Sequence, residues 1–577
     1  MKEREKKERL STLRHSASHI MADAVKRLYK DVKLAIGPSI DKGFYYDFDL
    51  EDKITEKDLP RIEKEMMKIV KEKNAFAKSS MQKNEALKFF GEKNEIYKNE
   101  LIDDLDLEEI SIYKSGNFVD LCKGPHVEDT SKVKFFKLLS VAGAYWRGDE
   151  KKKMLQRIYG TAFETKDELK THLFNLREAE KRDHRKLGKE LDLFSINEKW
   201  GSGLVLWHPF GACIRNIIEE FWKKEHLKRG YQLLYTPHIA NLDLWKQSGH
   251  WDFYRENMYS PMTIDDTEYV IKPMNCPGHI LIYKSKVHSY RDLPLRWGEL
   301  GTVYRYERSG VLHGTLRVRG FTQDDAHIFC TSDQVQDEVT SVLDLVDFMM
   351  KTFNFKYKIY LSTRPEKSVG SDDIWANAEK ALRQAVEQRG LEYEIDEGEG
   401  VFYGPKIDVC LIDALGRGWQ GPTIQVDFNI PERFDVNFIN KDGNEERVVM
   451  IHRTVLGSME RFLGVLIEHF AGYFPLWLQP VQVVVIPVSQ DFNDYAQHVY
   501  NKLFSEEIRV ECDIRNESLS KKIRNAEKRK IKYMLVVGEK EKEEDRVSVR
   551  VHKVGDTGQF DLKTFICNIK EEIIKKD

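Results

Sequence analysis

Residues 304–329 read YRYERSGVLHGTLRVRGFTQDDAHIF and contain four arginines, three acidic residues and Phe321. Apolar and β-favouring residues on both sides of a Ser-Gly break predict two strands joined by a loop around residues 308–315. Because strand side chains alternate between faces, Arg317, Arg319 and Phe321 are expected on one face of the return strand. The stretch therefore presents guanidinium groups and an aromatic ring on one surface.

A surface of this kind has the chemistry that binds a nucleotide. Guanidinium groups pair bidentately with phosphate, and an aromatic ring can stack on a base. Arg305 and Glu307 are predicted to share a face of the outgoing strand. A solvated, salt-bridged hairpin is the better interpretation of any single arginine. Four arginines on one hairpin, beside an uninterrupted RGFTQDDAHIF run, favour a ligand surface.

The order of these residues also carries a family resemblance. R-x-E, a loop and R-x-R-G-F-T-Q-D-D-A-H resemble the second signature of class II aminoacyl-tRNA synthetases, and the QDDAH ending is similar to the threonyl-tRNA synthetase family. A helix over 212–229, a glycine, a strand and Pro237 resemble the first signature, which is usually a dimer element. LGSMERFLGVLIEHFAG resembles the third. The resemblance covers residues 11–577.

Length and composition agree with a large enzyme of several domains. A chain of 577 residues is too long for one core and predicts three or four domains, and 41% hydrophobic residues suffice to fill them. The net charge of −3 means that any basic surface is local. Because the chain begins MKEREKKERL and has no membrane-length apolar run, it predicts a soluble protein without a signal peptide. Seven irregularly spaced cysteines favour reduced thiols in the cytoplasm.

The N-terminal segment contains two histidine-cysteine motifs. STLRHSASHIMADAVKRLY predicts a helix starting at Ser11 or Thr12, with His15 and His19 one turn apart, either as metal ligands or as a polar stripe. Downstream, SGNFVDLCKGPHV is interpreted as a half metal site, as a thiol and imidazole lining a pocket, or as a buried cysteine and a turn histidine.

Together these motifs resemble the editing domain of bacterial-type members of the family. The resemblance implies a hydrolytic pocket that removes serine from mischarged tRNA. Its expected main members are His15, His19, Cys122 and His126, and its lesser members are Asp120 and Lys98.

Spacing and resemblance disagree about a metal site further along the chain. The C-x-x-H pair of Cys276 and His279 and the H-x-x-C pair of His327 and Cys330 predict, by spacing alone, a closed Cys₂His₂ zinc site. The resemblance instead implies one zinc ion per subunit, held by Cys276, His327 and His452. Three protein ligands leave a fourth position open for substrate.

The resemblance further implies an ATP site with Mg²⁺. It assigns Arg305 to the α-phosphate and substrate carboxylate, Glu307 to the adenine amino group, and Phe321 to stacking on the base. Arg317 and Arg461 are expected at the pyrophosphate leaving group. Asp325 is expected to accept the hydroxyl proton of threonine. The candidate positioning residues are Gln323, Tyr403, Lys406, Gln420 and Gln425.

From Pro480 the sequence alternates strand and helix, which predicts a parallel α/β domain of about 100 residues. Seven cations on and after one helix favour contact with a phosphate backbone: Lys521, Lys522, Arg524, Lys528, Arg529, Lys530 and Lys532. The region is similar to the anticodon-binding domain of class IIa synthetases. The resemblance assigns anticodon contacts to Asn516, Arg524, Glu541 and Arg550.

The expected fold is therefore a multidomain α/β and α+β protein, with an antiparallel-sheet class II core between an α+β editing domain and an α/β anticodon-binding domain. The expected segments are a charged leader (1–10), the editing domain (11–163), a linker helix (164–195), the core (196–478) and the anticodon-binding domain (479–577). His184, in the linker, is expected on a solvated face. Many family members carry a ubiquitin-like domain ahead of the editing domain, and His15 lies too near the start of this sequence to leave room for one.

The resemblance implies a homodimer that activates L-threonine with ATP, transfers it to tRNA(Thr) and hydrolyses seryl-tRNA(Thr). A proline or serine synthetase on the same scaffold is the nearest alternative, but the proposed zinc ligands together with an editing-like domain argue against it. A non-catalytic RNA-binding relative is the alternative of a different class. Such a relative is expected to lack the charged residues that this chain retains at Arg305, Glu307, Arg317 and Arg461.

Overall fold

The computed structural model describes residues 2–576, and the chain divides into two compact units, residues 1–177 and 178–577. Met1, the first residue of the predicted leader, lies outside the described part. So does Asp577, the last residue of the predicted C-terminal domain. Within residues 2–576 no helix is both long enough and apolar enough to cross a bilayer. The five predicted segment boundaries stay predictions.

The N-terminal unit packs helices against two sheets. Its 5-stranded sheet has the order β1-β3-β8-β7, with β2 paired to β3, and its 3-stranded sheet has the order β4-β5-β6. The helices are α1 (Lys2–Leu28), α2 (Leu59–Glu72), α3 (Lys83–Glu92) and α4 (Ile96–Asp103), and the strands are β1 (Lys33–Leu34), β2 (Ser39–Ile40), β3 (Gly43–Asp49), β4 (Ala77–Gln82), β5 (Glu109–Ser115), β6 (Phe118–Leu121), β7 (Phe135–Tyr145) and β8 (Met154–Phe163).

Helix α1 begins at Lys2, so the predicted start at Ser11 or Thr12 is wrong. The charged residues before Ser11 are good helix formers, and they continue the helix of the histidine segment. Lys6 pairs with Glu168 at 2.7 Å, which ties the early turns to the rest of the unit. The buried face of α1 lies in the main core of the unit, which fixes the direction of the histidine side chains.

The predicted linker helix is two helices, α5 (Lys166–Arg182) and α6 (His184–Glu190). Asp183 separates them, because its side chain accepts a hydrogen bond from Arg185 N and caps α6. The expectation that His184 is solvated is wrong, since its side chain is fully buried. Its Nδ1 lies 2.7 Å from Glu468 Oε1, and its Nε2 accepts from Thr315 N at 3.1 Å.

The larger unit is built on an 8-stranded sheet with the order β11-β15-β16-β23-β20-β19-β17-β18. Only its outermost pairs, β11 with β15 and β17 with β18, are parallel. The strands of the sheet are β11 (Gln232–Leu233), β15 (Leu295–Tyr304), β16 (Gly320–Cys330), β17 (Lys356–Ser362), β18 (Tyr393–Asp396), β19 (Lys406–Ile412), β20 (Gly418–Asp427) and β23 (Val449–Thr454). This mainly antiparallel sheet confirms the core predicted from the sequence.

Helices and short strands surround this sheet. The helices are α7 (Pro209–Lys228), α8 (Asp243–Gln247), α9 (His250–Tyr254), α10 (Cys276–Tyr283), α11 (Val335–Thr352), α12 (Asp372–Gln388), α13 (Asn429–Arg433) and α14 (Met459–His469). The remaining strands are β9 (Phe194–Ile196), β10 (Val205–Trp207), β12 (Ile239–Asn241), β13 (Met262–Ile264), β14 (Thr267–Ile271), β21 (Asn437–Ile439) and β22 (Glu445–Arg447).

The hairpin predicted over residues 304–329 is present, but its connection is longer than predicted. Tyr304 pairs with Gly320, so residues 305–319 form the loop. All four arginines lie in this loop, so the alternation of strand side chains does not place them on one face. Gly314 has a φ of +52°, and a Cβ there would lie 2.0 Å from His184 Nε2. The loop therefore needs a glycine at this close approach.

The C-terminal part forms a 5-stranded sheet with the order β25-β24-β26-β27-β28. The predicted parallel arrangement is correct for β24, β25 and β26, whereas β27 and β28 run antiparallel. The elements are β24 (Val483–Pro487), α15 (Asn493–Ser505), β25 (Val510–Cys512), α16 (Leu519–Lys528), β26 (Tyr533–Val537), α17 (Glu539–Glu544), β27 (Arg546–Val551), β28 (Gly555–Asp561) and α18 (Leu562–Lys575).

Candidate active sites

The register of the large sheet sets a row of polar side chains across four strands. His327 on β16 lies opposite His452 on β23, His452 lies opposite Gln425 on β20, and Gln425 lies opposite Lys406 on β19. Residues directly opposite in antiparallel strands point to the same face. The row therefore brings together residues that are far apart in the sequence.

Cys276, His327 and His452 form a cluster in which the candidate ligand atoms all lie within 4.8 Å of one another. Cys276 is the first residue of α10. His452 Nε2 lies 2.8 Å from Asp427 Oδ2, which leaves Nδ1 of the ring free. One thiol and two imidazoles, with a carboxylate behind an imidazole, fit zinc.

The closed Cys₂His₂ alternative is not assembled. Both ring nitrogens of His279 are engaged elsewhere, Nδ1 with His327 at 2.8 Å and Nε2 with Glu299 at 3.0 Å. Cys330 follows His327 by an odd number of strand positions, so it points to the opposite face, where its Sγ lies 3.7 Å from Val449 O. The spacing of His327 and Cys330 predicted two ligands of one site, but strand alternation places their side chains on opposite faces.

A cavity of about 380 Å³ opens beside this cluster. It is lined by thirteen of the predicted core residues: Cys276, Arg305, Glu307, Arg317, Phe321, Gln323, Asp325, His327, Tyr403, Gln420, Gln425, His452 and Arg461. Lys406 does not line it, because its ammonium pairs with Asp408 at 2.8 Å. Asn275 Nδ2 donates to Asp325 Oδ2 at 3.1 Å and so orients that carboxylate.

The arginines of the cavity form a positively charged end. Arg461 donates from Nε to Leu316 O at 3.0 Å, and Arg317 pairs with Glu307 at 2.9 Å. The guanidinium of Arg305 lies 5.2 Å from the ring centre of Phe321. Burial, followed by the nearby charges of Arg317 and Arg305, lowers the pKa of Arg461. Several guanidinium groups this close together can bind a polyanion through charge-assisted hydrogen bonds.

Two of the residues at this site that sequence reasoning missed are His250 and Asn275. His250, at the start of α9, lines the cavity, and its Nδ1 lies 2.8 Å from Ser248 Oγ. Burial, then the nearby His452, lowers the pKa of His250 to about 4, so the ring is neutral at pH 7. Asn275 was missed although it adjoins Cys276. A lone histidine in SGHWDFY and an asparagine before a helix carry no spacing signal.

The N-terminal unit holds a second cluster, in which candidate ligand atoms of His15, His19, Cys122 and His126 lie within 4.8 Å of one another. Cys122 Sγ lies 3.4 Å from His15 Nε2 and 3.2 Å from His126 Nε2. The two histidines of α1 share a helix face, and the segment after β6 brings the other two residues beside them. His15 and His126 also line a cavity of about 1240 Å³.

Lys98 and Asp120, the lesser predicted members, form a buried ion pair beneath this cluster. Lys98 Nζ lies 2.5 Å from Asp120 Oδ1, and His19 Nδ1 lies 3.4 Å from the other carboxylate oxygen. Tyr46, which sequence reasoning missed, donates its hydroxyl to Asp120 at 2.5 Å and accepts from Lys98 at 2.9 Å. Only strand alternation in GFYYDFD hinted that Tyr46 faces inward.

Burial keeps this cluster uncharged at its reactive end. Burial lowers the pKa of His19 to about 3 and that of His126 to about 2, and it lowers the pKa of His15 as well. Burial raises the pKa of the Cys122 thiol to about 11. At neutral pH the cluster therefore offers neutral imidazoles, which accept protons, and a thiol rather than a thiolate.

Three of the predicted anticodon residues, Arg524, Glu541 and Arg550, lie on α16, α17 and β27, and Asn516 lies in the loop before α16. Glu541 accepts from Ser548 Oγ and Gln559 Nε2, each at 2.7 Å, whereas Asn516 and Arg524 are exposed. Ser548 and Arg550 share a face of β27. Arg550 Nε is buried and has no hydrogen-bond partner among the described residues. Glu541 and Arg550 therefore border one face of the sheet.

Most of the seven cations near α16 are occupied within the chain. Lys522 is buried and donates to Pro487 O, and Arg529 pairs with Glu511 at 2.6 Å. Lys521, Lys530 and Lys532 also bond to groups of this chain. The sequence prediction of a seven-cation phosphate surface is therefore too broad, because charge counts along a helix ignore its buried face.

Comparisons with known proteins identify both the core and its neighbours. Residues 259–470 match the tRNA synthetase class II core domain (G, H, P, S and T), and residues 482–572 match the anticodon binding domain. Residues 110–159 match the threonyl and alanyl tRNA synthetase second additional domain. The sheet, the arginine-lined cavity and these matches define a class II aminoacyl-tRNA synthetase.

Individual relatives identify the family to which the chain belongs within this class. The threonine–tRNA ligase of Dehalococcoides mccartyi strain CBDB1 is 61% identical over 542 residues, covering 94% of this chain and 93% of the relative. That of Caldanaerobacter subterraneus subsp. tengcongensis is 57% identical over 563 residues, covering 97% of this chain and 87% of the relative. The chain therefore belongs to the threonine–tRNA ligase family.

A solved structure agrees with this assignment. The RNA binding domain of threonyl-tRNA synthetase from Cryptosporidium parvum Iowa II is 39% identical with a TM-score of 0.65, covering 68% of this chain and 98% of that chain. The substrates of the enzyme are threonine, ATP with Mg²⁺, and tRNA. Its N-terminal unit is of the type that edits mischarged tRNA.

Proposed function

We propose that this threonine–tRNA ligase selects threonine with a zinc ion held by Cys276, His327 and His452, and that it clears seryl-tRNA(Thr) at the N-terminal cluster. One observation carries the proposal. A thiol and two imidazoles meet within 4.8 Å in the same cavity that holds Asp325 and the arginines. The ligand set and the phosphate-binding groups therefore face one substrate-sized space.

Zinc is needed because shape alone discriminates poorly. An apolar pocket separates a hydroxyl from an isosteric methyl by only about a hundredfold, so valine would be accepted too often. Held by Cys276, His327 and His452, a zinc ion would supply a Lewis acid for both the amino group and the hydroxyl of threonine, and valine lacks the hydroxyl. Asp325, held by Asn275, accepts the hydroxyl proton in a hydrogen bond.

The arginines perform the adenylation step by positioning and by charge. In-line attack of the threonine carboxylate on the α-phosphorus builds negative charge that preorganised guanidinium groups stabilise. Arg305 serves the α-phosphate and carboxylate, and Arg317 with Arg461 serve the pyrophosphate. Glu307 binds the adenine amino group once ATP displaces its pairing with Arg317, and Phe321 stacks on the base.

The remaining polar residues serve transfer to tRNA. Gln323, Tyr403, Gln420 and Gln425 line the cavity and position the terminal ribose. Tyr403 donates its hydroxyl to Gln425 Oε1 at 2.8 Å, which orients the amide. Lys406 acts from outside the cavity by holding Asp408. Asn516, Arg524, Glu541 and Arg550 contact the anticodon.

Serine keeps both zinc-binding groups and lacks only a methyl, worth about 1–3 kcal/mol, so a second site is required. His15 donates Nδ1–H to Pro125 O at 3.2 Å, which leaves Nε2 as a proton acceptor. A water molecule activated by a neutral imidazole is the nucleophile, since Cys122 is protonated at neutral pH. Lys98 and Asp120 hold His19 in place beneath the pocket.

Features of the chain support a homodimeric assembly and a cytoplasmic location. Several large apolar side chains near the edge strand β11 are strongly exposed, including Leu227 (56%) on α7 and Tyr235 (77%). We assign this surface to a homodimer interface. All seven cysteines are free thiols, which suits the reducing cytoplasm. Light scattering should give a particle of two 67.7-kDa chains, and Tyr235→Glu should give single chains.

Amino-acid-dependent pyrophosphate exchange by the zinc-loaded wild-type enzyme tests the proposal. Threonine should drive exchange, serine should drive it less efficiently, and valine should be rejected by more than about a hundredfold, the limit for an apolar pocket. If valine is rejected by about a hundredfold or less, the proposed selection by zinc is wrong. Exchange driven by proline rather than threonine would overturn the substrate.

A further inference from the structure

Behind His327 lies a buried chain of hydrogen bonds that ends on a carboxylate. His327 on β16, His279 on α10 and Glu299 on β15 are linked in that order, and we call these three residues the Glu299 relay. His327 Nδ1 lies 2.8 Å from His279 Nδ1, and His279 Nε2 lies 3.0 Å from Glu299 Oε2. Their side chains are at most 3% exposed, so water does not intervene.

Three further groups hold Glu299 in place and in its charged form. Thr236 donates to the carboxylate from its backbone N–H at 2.8 Å and from its hydroxyl at 2.9 Å. Lys272 lies 3.5 Å away and supplies a compensating positive charge. Although burial acts to raise it, the pKa of Glu299 is lowered by the bonds from His279 and Thr236 and by Lys272. Glu299 therefore acts as an acceptor only.

Proton positions along the relay follow from this acceptor. His279 Nε2 must carry the hydrogen that reaches Glu299. In the tautomer that carries this hydrogen on Nε2, the Nδ1 of His279 has a lone pair, and this lone pair faces His327 Nδ1 at 2.8 Å. That lone pair can only accept from His327 Nδ1–H, so His327 keeps the lone pair of Nε2 for a ligand.

We propose that Glu299, acting through His279, is the positioning pair that fixes the tautomer and orientation of His327 for metal binding. The inference deepens the metal centre of the proposed function and rests on it. His452 has its own carboxylate, Asp427, so each histidine ligand is backed by a separate acidic group. Outer partners of this kind typically contribute about 10–100-fold to metal affinity.

The same geometry assigns a role to the C-x-x-H spacing of Cys276 and His279. One turn of α10 separates the two residues, so the helix that presents the thiol also presents the relay imidazole. His279 is therefore a partner of a ligand rather than a ligand. A substitution at His279 should weaken metal binding without changing the number of protein ligands.

Chelator competition on full-length protein measures the zinc dissociation constant of each variant. His279→Ala removes the acceptor for His327 Nδ1–H and should weaken zinc binding by about 10–100-fold. His279→Gln keeps an acceptor oxygen and should recover most of that loss. His226→Gln is the matched control, because His226 is an equally buried histidine whose Nδ1 bonds to Trp222 O on α7.

Activity at two zinc concentrations separates positioning from general destabilisation. His279→Ala should regain near wild-type threonine-dependent exchange at saturating zinc and lose it at limiting zinc. Wild-type zinc affinity in both His279→Ala and Glu299→Gln would overturn the relay, as would an equal loss in His226→Gln. If wild-type protein binds no zinc, the proposed function itself fails, and the relay fails with it. If His279→Ala does not fold, His279→Gln and Glu299→Gln decide the outcome.

Discussion

The two histidine-cysteine clusters have similar members but different surroundings. In the core, His452 bonds to Asp427 and His327 bonds through His279 to Glu299. In the N-terminal unit, the outer nitrogens of His15 and His126 face a carbonyl and a hydroxyl. A list of ligand types does not distinguish these clusters, whereas their hydrogen-bond partners do.

Charge balance gives the physical reason. The core cluster lies next to Asp325 and Asp427, and Asp427 forms no ion pair with a lysine or arginine among the described residues, so a divalent cation is attracted. Beneath the N-terminal cluster, the carboxylate of Asp120 is already neutralised by Lys98. The first arrangement favours a metal ion, and the second favours neutral bases for hydrolysis.

The largest expected effect is on metal content. Cys276→Ala should lower the zinc content from one equivalent per chain to none. It should also reduce threonine-dependent exchange by roughly 10⁴-fold, the factor typical of a site whose polar groups for a substrate hydroxyl are left unpaired. Cys122→Ala should retain both zinc and exchange. Metal analysis with exchange assays checks the pair. Loss of zinc in Cys122→Ala would break the distinction between the clusters.

Breaking the buried pair of the N-terminal unit should have the next largest effect. Lys98→Met leaves Asp120 buried without a cation and should destabilise the unit by about 3–5 kcal/mol. Hydrogen exchange of the α1 amides in the full chain measures this loss. Adding Asp120→Asn should restore much of the stability. Lys132→Met removes an exposed pair with Glu128 and should leave the exchange of α1 unchanged.

Acid should destabilise the N-terminal unit through its buried histidines. The unfolded chain protonates His19 near pH 6.5, whereas the folded pKa is about 3, so the contribution is constant above pH 6.5 and falls below it. At pH 5 the loss is about 2 kcal/mol for His19 alone. Unfolding of α1 followed by hydrogen exchange at each pH checks this, and His19→Gln should flatten the dependence.

The same shifts affect hydrolysis. Deacylation of seryl-tRNA should persist below pH 6.5, because burial lowers the pKa of His15 and lowers that of His126 to about 2, so these rings remain proton acceptors. A rate that falls with an apparent pKa near 6.5 would mean that the imidazole acting as base is solvated in the working enzyme.

The smallest expected effect concerns Ser16. Its hydroxyl donates to Thr12 O at 2.9 Å, so its oxygen accepts from His126 Nδ1 at 3.1 Å and leaves His126 Nε2 free. Ser16→Ala should slow deacylation by roughly fivefold, corresponding to one hydrogen bond of about 1 kcal/mol. Ser16→Thr keeps the hydroxyl and is expected to act as wild type. Single-turnover deacylation at pH 7 measures both variants.

Much of the core could be predicted because its motifs are local. Strands β15 and β16 follow from the composition of their segments, and the resemblance identified the residues that line the cavity. The loop between them exceeded the prediction because its length depends on contacts such as Gly314 with His184, which are distant in sequence. His184 itself was assigned to solvent because its neighbours are charged.

Partners beyond the ligands could not be predicted. Asp427, Glu299 and Tyr46 are ordinary strand residues in the sequence, and only the register of neighbouring strands brings them to the sites. The phosphate surface predicted from the basic run after Ser518 was too broad for a related reason. In a highly charged helix the sequence does not show which cations pack inward, as Lys522 does. These features belong to tertiary pairing, which leaves no fixed spacing.

The pairing of His327 with His452 on adjacent strands has a consequence for biosynthesis. Cys276 and His327 leave the ribosome early, but the third donor arrives only with β23, after most of the catalytic core has been translated. A complete set of donors therefore exists only once the late strand has inserted between its neighbours β16 and β20. A metal ion bound by all three residues would therefore report that the late strand has joined the large sheet.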